Sequence, residues 1–151
     1  MRTGWLLVVL LLALGGCAST PQATPARDAE AKQFVTHPGF AGIYVFRPDF
    51  KADMMEDTVL YVDDRLIGQT LPGTFFRVDV QPGARVVRAS AAGATEITID
   101  TRPGELYFVQ LNVSDAGSRL ALVEPAKAQA IILKCCALMQ NWAPGQRPLL
   151  Q

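Results

Sequence analysis

The chain predicts a mainly β fold, an antiparallel β-sandwich with one C-terminal α-helix packed on it. Three observations carry that expectation. Pro-Gly pairs punctuate the body at Pro38-Gly39, Pro72-Gly73, Pro82-Gly83 and Pro103-Gly104, with Pro144-Gly145 beyond it. Pro presets φ at the second position of a turn and Gly accepts the positive φ at the third, the type II pattern. Between the pairs lie short runs such as Thr95–Asp100, which puts Ile97 and Ile99 on one face and Glu96, Thr98 and Asp100 on the other. A single stretch, opening at Glu124-Pro125, carries apolar residues at helical spacing instead.

The front of the chain has a different character. Arg2 precedes an uninterrupted apolar run from Trp5 to Leu14, then Gly15, Gly16 and Cys17. A charged start, an apolar core and a small-residue cleavage site describe a signal segment, here residues 1–16. The run stops well short of the roughly 20 apolar residues that a membrane-crossing helix needs. Leu14-Gly15-Gly16-Cys17 resembles the lipobox of bacterial lipoproteins, a Leu followed by two small residues and a Cys. That resemblance implies a diacylglycerol thioether on Cys17, cleavage before it, acylation of the new amine, and a membrane held through the lipid. More than one acyl chain is needed for stable anchoring, at about 0.8 kcal/mol per buried methylene. Ala18 stands where lipoproteins kept in the inner membrane commonly have Asp, so the expected address is the outer membrane, facing the periplasm. The competing reading is an ordinary secretory signal with Cys17 near the cut by coincidence.

Cys17 to Gly39 is Ala, Thr, Pro, Gln and charge, with almost nothing large and apolar before Phe34. Such a composition predicts a flexible tether over residues 17–39, a sandwich domain over 40–141 and a tail over 142–151. About 135 of the 151 residues remain after the signal, enough for one domain and too few for two. The 14 basic side chains, one of them Arg2, balance 14 acidic ones, which argues against nucleic acid as a partner.

Within the domain the strand candidates are Gly42–Arg47, Thr58–Asp63, Arg65–Gln69, Thr74–Val80, Arg85–Ser90, Thr95–Asp100, Leu106–Val113 and Arg119–Val123. Val62-Asp63-Asp64-Arg65 reads as a tight hairpin in which Asp64 takes a place that Gly would fill better. Leu106 and Phe108 point one way and Tyr107, Val109 and Leu111 the other, so this strand predicts cover on both faces. The available cover is the helix, expected from Pro125 to about Met139, with Ile131, Ile132, Cys135, Leu138 and Met139 on one face.

The sequence Ile43-Tyr44-Val45-Phe46-Arg47-Pro48, followed by Val62-Asp63-Asp64-Arg65, Gly73-Thr74-Phe75-Phe76, Val80-Gln81-Pro82-Gly83 and Gly104-Glu105-Leu106-Tyr107-Phe108-Val109, resembles an uncharacterised bacterial lipoprotein family. That family is catalogued as a domain of unknown function, with an I-Y-V-x-R-P strand, a V-D-G-K hairpin, a P-G-x-H turn and a G-x-x-Y-F strand. The resemblance spans roughly residues 41–138 and implies a transthyretin-like or immunoglobulin-like sandwich behind a lipid anchor. It brings no activity. Asp64 departs from the hairpin Gly, and Ala84-Arg85 from a frequent Lys-His pair.

Candidate chemistry is sparse. His37, the only histidine, stands beside Pro38 without a nucleophile signature and reads as an exposed linker residue. Cys135 and Cys136 become the only thiols once Cys17 carries lipid. Three readings stay open for them: buried inert thiols, an intermolecular or adjacent disulfide, or a metal or redox role. Adjacent cysteines close only a strained ring, which a regular helix resists. Asp49, Asp53, Glu56 and Asp57 around Met54 and Met55 read as a solvated loop rather than a metal site, lacking the spacing of an EF-hand. Phe75 and Phe76 must face opposite ways, so one of them, or the tail with Trp142, Pro144, Leu149 and Leu150, could offer an apolar partner patch. No cofactor is expected. The resulting expectation is a non-enzymatic envelope lipoprotein that binds another envelope protein or a glycan, with a metal- or redox-handling protein using Cys135 and Cys136 as the alternative.

Overall fold

Ile43-Tyr44-Val45-Phe46 is a continuous apolar run of strand-forming residues, and it forms the middle of strand β1, Ala41–Arg47, in which every residue is buried. A strand that is apolar on both sides must be covered on both, and the rest of the fold supplies the two covers. The computed structural model describes residues 21–49, 58–90 and 93–140.

The strands after β1 are β2 (Thr58–Val62), β3 (Arg65–Thr70), β4 (Thr74–Val80), β5 (Gly83–Ser90), β6 (Ala94–Thr101), β7 (Leu106–Ser114), β8 (Gly117–Val123) and the short β9 (Ala137–Leu138). They form a five-stranded sheet in the order β8-β7-β1-β4-β9 and a four-stranded sheet in the order β3-β2-β5-β6. The architecture is the expected sandwich, mainly β with two sheets. Most neighbours are antiparallel, but β1 runs parallel to β7 and β4 parallel to β9. The first arises because the chain leaves β4 for the second sheet and comes back from β6 on the far side of β1.

Two apolar cores result. Ile43 and Val45 of β1, Phe76 and Val78 of β4, and Val109 and Leu111 of β7 meet Leu60, Val62, Ile67, Val87 and Ile99 of the second sheet. On the opposite face of the five-stranded sheet, Tyr44, Phe46, Phe75 and Phe108 form a second core under two helices, α1 (Pro25–Ala31) and α2 (Pro125–Cys135). The molecule is thus three layers, helices on sheet on sheet. Phe75 and Phe76 do face opposite ways, but both are buried, one in each core, so neither forms the apolar partner patch considered for them. The large apolar side chains that are exposed include Val35, Leu122 and Leu133. Among the described residues no helix is long and apolar enough to cross a membrane.

Local chemistry explains the turns. Gly73 adopts φ 71° at Pro72-Gly73, and its N–H donates to the Arg47 carbonyl at 2.8 Å, which returns the chain beside β1. At the β2–β3 hairpin Asp63 and Asp64 both take positive φ, 49° and 61°, as a two-residue hairpin of this hand requires. Asp63 is held there by its carboxylate, which accepts from the Val86 N–H at 3.0 Å and from Arg85 Nη1 at 2.9 Å.

Two expectations are corrected. The tether expected over residues 17–39 does not extend so far: from Pro21 onward the chain packs on the sheet. The composition is that of a linker, but Thr24 and Pro25 make a helix start; the Thr24 side chain accepts from the Arg27 N–H, and Asp28 pairs with Lys32 one turn later. The C-terminal helix starts as expected, with Glu124 accepting from the N–H groups of Ala126 and Lys127 at 3.0 Å. It ends at Cys135 rather than about Met139, because Cys136 is extended (φ −121°, ψ 138°) and the next residues pair with β4.

Asp63→Ala removes both anchoring hydrogen bonds and leaves a Cβ residue in the left-handed region with no local compensation. A loss of about 2 kcal/mol is expected, read as a lowered denaturation midpoint, with Asp63→Asn recovering part of it.

Candidate functional site

The flanks of the domain interlock at one place, and the chemistry-bearing residues gather there. Gln22 makes an antiparallel bridge with Met139, the Ala23 N–H donates to the Leu138 carbonyl at 2.8 Å, and the Gln140 N–H donates to the Pro21 carbonyl at 2.8 Å. On its other edge β9 takes its place beside β4: the Ala137 N–H donates to Gly73 and the Met139 N–H to Phe75. The remaining donor, the Leu138 N–H, reaches the Asp28 carboxylate at 2.7 Å, whose second oxygen accepts from Lys32 Nζ at 2.7 Å. Residues 21–28 are therefore docked on β9 by backbone and side chain together.

Cys135 and Cys136 sit where α2 becomes β9, and they are joined as an adjacent disulfide. Of the three readings left open by the sequence, this is the disulfide one, closed within the chain. The expectation that a helix resists such a ring holds, since the helix stops at the pair. Cys136 is buried against Leu138 and Ile132, whereas Cys135 is partly exposed. The Cys135 carbonyl lies close to Gly73, 3.5 Å from where a side chain there would begin.

A polar network fixes the other end of the docked segment. Phe34 takes a positive φ of 54° just past α1, unusual for a bulky residue, and its ring lands 5.4 Å from Tyr44 and 5.9 Å from Phe108. Ring packing holds that backbone. The fully buried Tyr44 hydroxyl donates to the Ala31 carbonyl at 2.7 Å. Arg77, opposite Tyr44 on β4, donates to the Val35 carbonyl at 2.8 Å and to Asp79, and Asp79 is bonded to His37 Nδ1 at 2.9 Å. His37 is exposed as expected, but it is a clamp on the sheet rather than a linker residue. Burial pushes the Tyr44 hydroxyl up to about 12, against a smaller opposing effect of the Arg77 charge.

The cysteine pair is evident in the sequence, whereas the network is not. The signals for it were Arg77 and Asp79 alternating on the outward face of β4 and the lone phenol of Tyr44 within the apolar run Ile43–Phe46. Cys17, the acidic and methionine residues 53–57 and the tail from Trp142 lie outside the described residues; Asp49 is exposed. Among the described residues no three of His, Cys, Asp and Glu gather to hold a metal.

A family described as a protein of unknown function, DUF2846, matches residues 37–126. The chain belongs to the DUF2846 family. The match covers β1 to β8, while α1, the disulfide and β9 lie outside it. An uncharacterized protein of Haemophilus influenzae is 28% identical over 134 residues, covering 85% of this chain and 79% of that relative. No solved structure matches.

Two substitutions test the docking. Asp28→Ala leaves the Leu138 N–H without its acceptor, and a loss of about 1–3 kcal/mol is expected, together with faster amide exchange at Leu138. Tyr44→Phe removes the donor to Ala31, at about 1 kcal/mol near neutral pH. Its effect on pH dependence has a definite sign. In the folded protein Tyr44 keeps its proton to about 12, whereas the unfolded phenol releases it from 10.0. Stability is therefore complete below the lower value and falls as pH rises toward the upper one. Denaturant unfolding across that range should fall less steeply for Tyr44→Phe than for the unsubstituted protein, with the weaker contribution of Tyr107, also raised by burial and by its bond to Glu105, left in both.

Proposed function

We propose that this DUF2846 protein is a lipid-anchored envelope protein whose sandwich is held close to the membrane surface and acts, without catalysis, as a binding module for another envelope protein or a glycan. The observation that carries the reading is the docking of residues 21–23 on β9, only a few residues after the lipobox cysteine. From Cys17 to Gln22 a fully extended chain spans no more than about 17 Å, whereas a tether reaching residue 39 would span about 75 Å. With Cys17 held in the membrane, the edge carrying β9 and α1 lies nearest the bilayer, and the β2–β3 turn, at the end of β3 away from Thr70 and β4, lies farther from it.

A second reading, a redox-handling envelope protein, is favoured by one specific observation, the adjacent disulfide of Cys135 and Cys136. Adjacent cysteines bonded to each other are an uncommon arrangement for a purely structural staple, because the loop they close is too short to restrict the unfolded chain much.

The anchor is tested by metabolic labelling with a palmitate analogue. The expected result is label on the unsubstituted protein and its complete loss in Cys17→Ser, with the protein moving from the membrane to the soluble fraction. Equal label and equal fractionation of the two overturn the anchor. Crosslinking in cells with the anchored protein then reports the partner, and a substituted Cys135→Ser/Cys136→Ser chain that retains the same crosslinks favours the binding reading over the redox one.

A further inference from the structure

Residues 136–139, Cys-Ala-Leu-Met, combine two incompatible preferences. Ala, Leu and Met are among the strongest helix formers, and Leu138 and Met139 continue the apolar face of Ile131, Ile132 and Cys135 at helical spacing. The Cys136 N–H still makes the helical bond, to the Ile132 carbonyl at 3.1 Å. One residue later the ladder is abandoned. The N–H groups of Ala137, Leu138 and Met139, which in a continued helix would meet the carbonyls of Leu133, Lys134 and Cys135, instead meet Gly73, Asp28 and Phe75. Either arrangement satisfies the same three donors.

The disulfide decides between them. Side chains at neighbouring helix positions do not face each other, while a disulfide needs its two Cβ atoms within about 4.5 Å. A bonded Cys135–Cys136 pair therefore excludes the continued helix and leaves the extended Cys136 that delivers Ala137 to β4. The strand so formed is the platform on which residues 21–28 dock.

We propose that Cys135–Cys136 is a redox latch, opened at Cys135 by a dithiol reductant, which sets whether residues 137–139 form β9 or continue α2 and hence whether the N-terminal segment is docked. The thiolate of the reductant attacks the partly exposed Cys135 sulfur. The bond to Cys136 breaks, and the Cys136 sulfur leaves with the electron pair and takes a proton. The second thiolate of the reductant then displaces Cys135, which takes the second proton, and the reductant departs as a disulfide. Two electrons and two protons pass to the protein. Cys136 is shielded from the first attack by its burial in the apolar cluster that also holds Leu138 and Ile132. With the bond open, the helical form of 137–139 gains population, against the burial of Leu138 and Met139, and residues 21–28 lose the acceptor at Leu138 and the donors at Leu138 and Gln140. The consequence for reach rests on the anchor reading, since freeing the chain as far as Asp28 lengthens the tether by about 20 Å; the latch itself does not.

Hydrogen–deuterium exchange with peptide mass spectrometry tests the latch on the intact chain in three forms: oxidised, reduced with dithiothreitol, and Cys135→Ser/Cys136→Ser. In the reduced and substituted forms, peptides containing residues 21–24 are expected to exchange about tenfold faster, because Ala23 loses its acceptor at Leu138 while the donors of 137–139 stay bonded in either arrangement, and β1 is unchanged. Equal protection of these peptides in the oxidised and reduced forms overturns the proposal, and the reduced unsubstituted protein decides the matter if the double substitution does not fold. Site of attack is read separately from mixed-disulfide formation with an aromatic disulfide reagent: Cys136→Ser, which leaves Cys135, is expected to react at least about tenfold faster than Cys135→Ser, and the reverse order overturns the assignment of Cys135. Neither measurement involves the lipid, so loss of palmitate labelling at Cys17 and loss of the latch are independent results.

Discussion

Burial of β1 on both faces is the constraint from which the remaining architecture follows. Its alternate side chains feed two different cores, Ile43 and Val45 toward the second sheet and Tyr44 and Phe46 toward the helices. A sandwich alone satisfies one of these faces. The other needs α1 and α2, and because those come from opposite ends of the chain, the outer core can be closed only when the two flanks meet. Tyr44 concentrates the requirement in one residue: its ring packs with Phe34, Phe75 and Phe108, and its hydroxyl, taken wholly out of water, must find a partner, which is the carbonyl at the end of α1.

The family match and the structure divide the chain in the same way. Residues 37–126 carry β1 to β8, and beyond them α1 and most of α2 build the third layer while β9 adds the edge of the five-stranded sheet beside β4. These outer elements are tied to the sheets by a few groups of mixed character. Arg77 and Asp79, adjacent on the outward face of β4, hold the Val35 carbonyl and His37, and Asp28 holds both Lys32 and the β9 backbone. Most of these bonds end on backbone or on a partly exposed partner, so they position the flank more than they stabilise it.

The strands were legible because each obeys a local rule. Alternation in Thr95–Asp100 and the apolar continuity of Leu106–Val113 place β6 and β7 without reference to anything distant, and Asp63-Asp64 marks its hairpin despite lacking Gly. The misjudged elements are those whose conformation is set from far away in sequence. The segment before Phe40 contains few large apolar residues, and its order comes from Tyr44, Arg77 and Leu138 rather than from its own composition. Ala137-Leu138-Met139 has helical character in its residue types and apolar spacing, but a covalent bond and a hydrogen-bonding edge override it. At the site, the cysteine pair stood out by residue type, whereas Arg77 and Asp79 looked like ordinary solvent-facing positions until β1 and the docked segment were placed beside them.

The bridge between Gln22 and Met139 brings the two flanks of the described residues to the same edge. A mechanical load applied between the two ends of the chain would not be shared across the long strands of the sandwich. It would fall first on the few backbone bonds of Pro21–Ala23 with Leu138–Gln140, loaded one after another as in unzipping rather than together as in shear. The fold thus has a weak seam where its two flanks meet, and the sheets behind it are insulated from tension until that seam has parted.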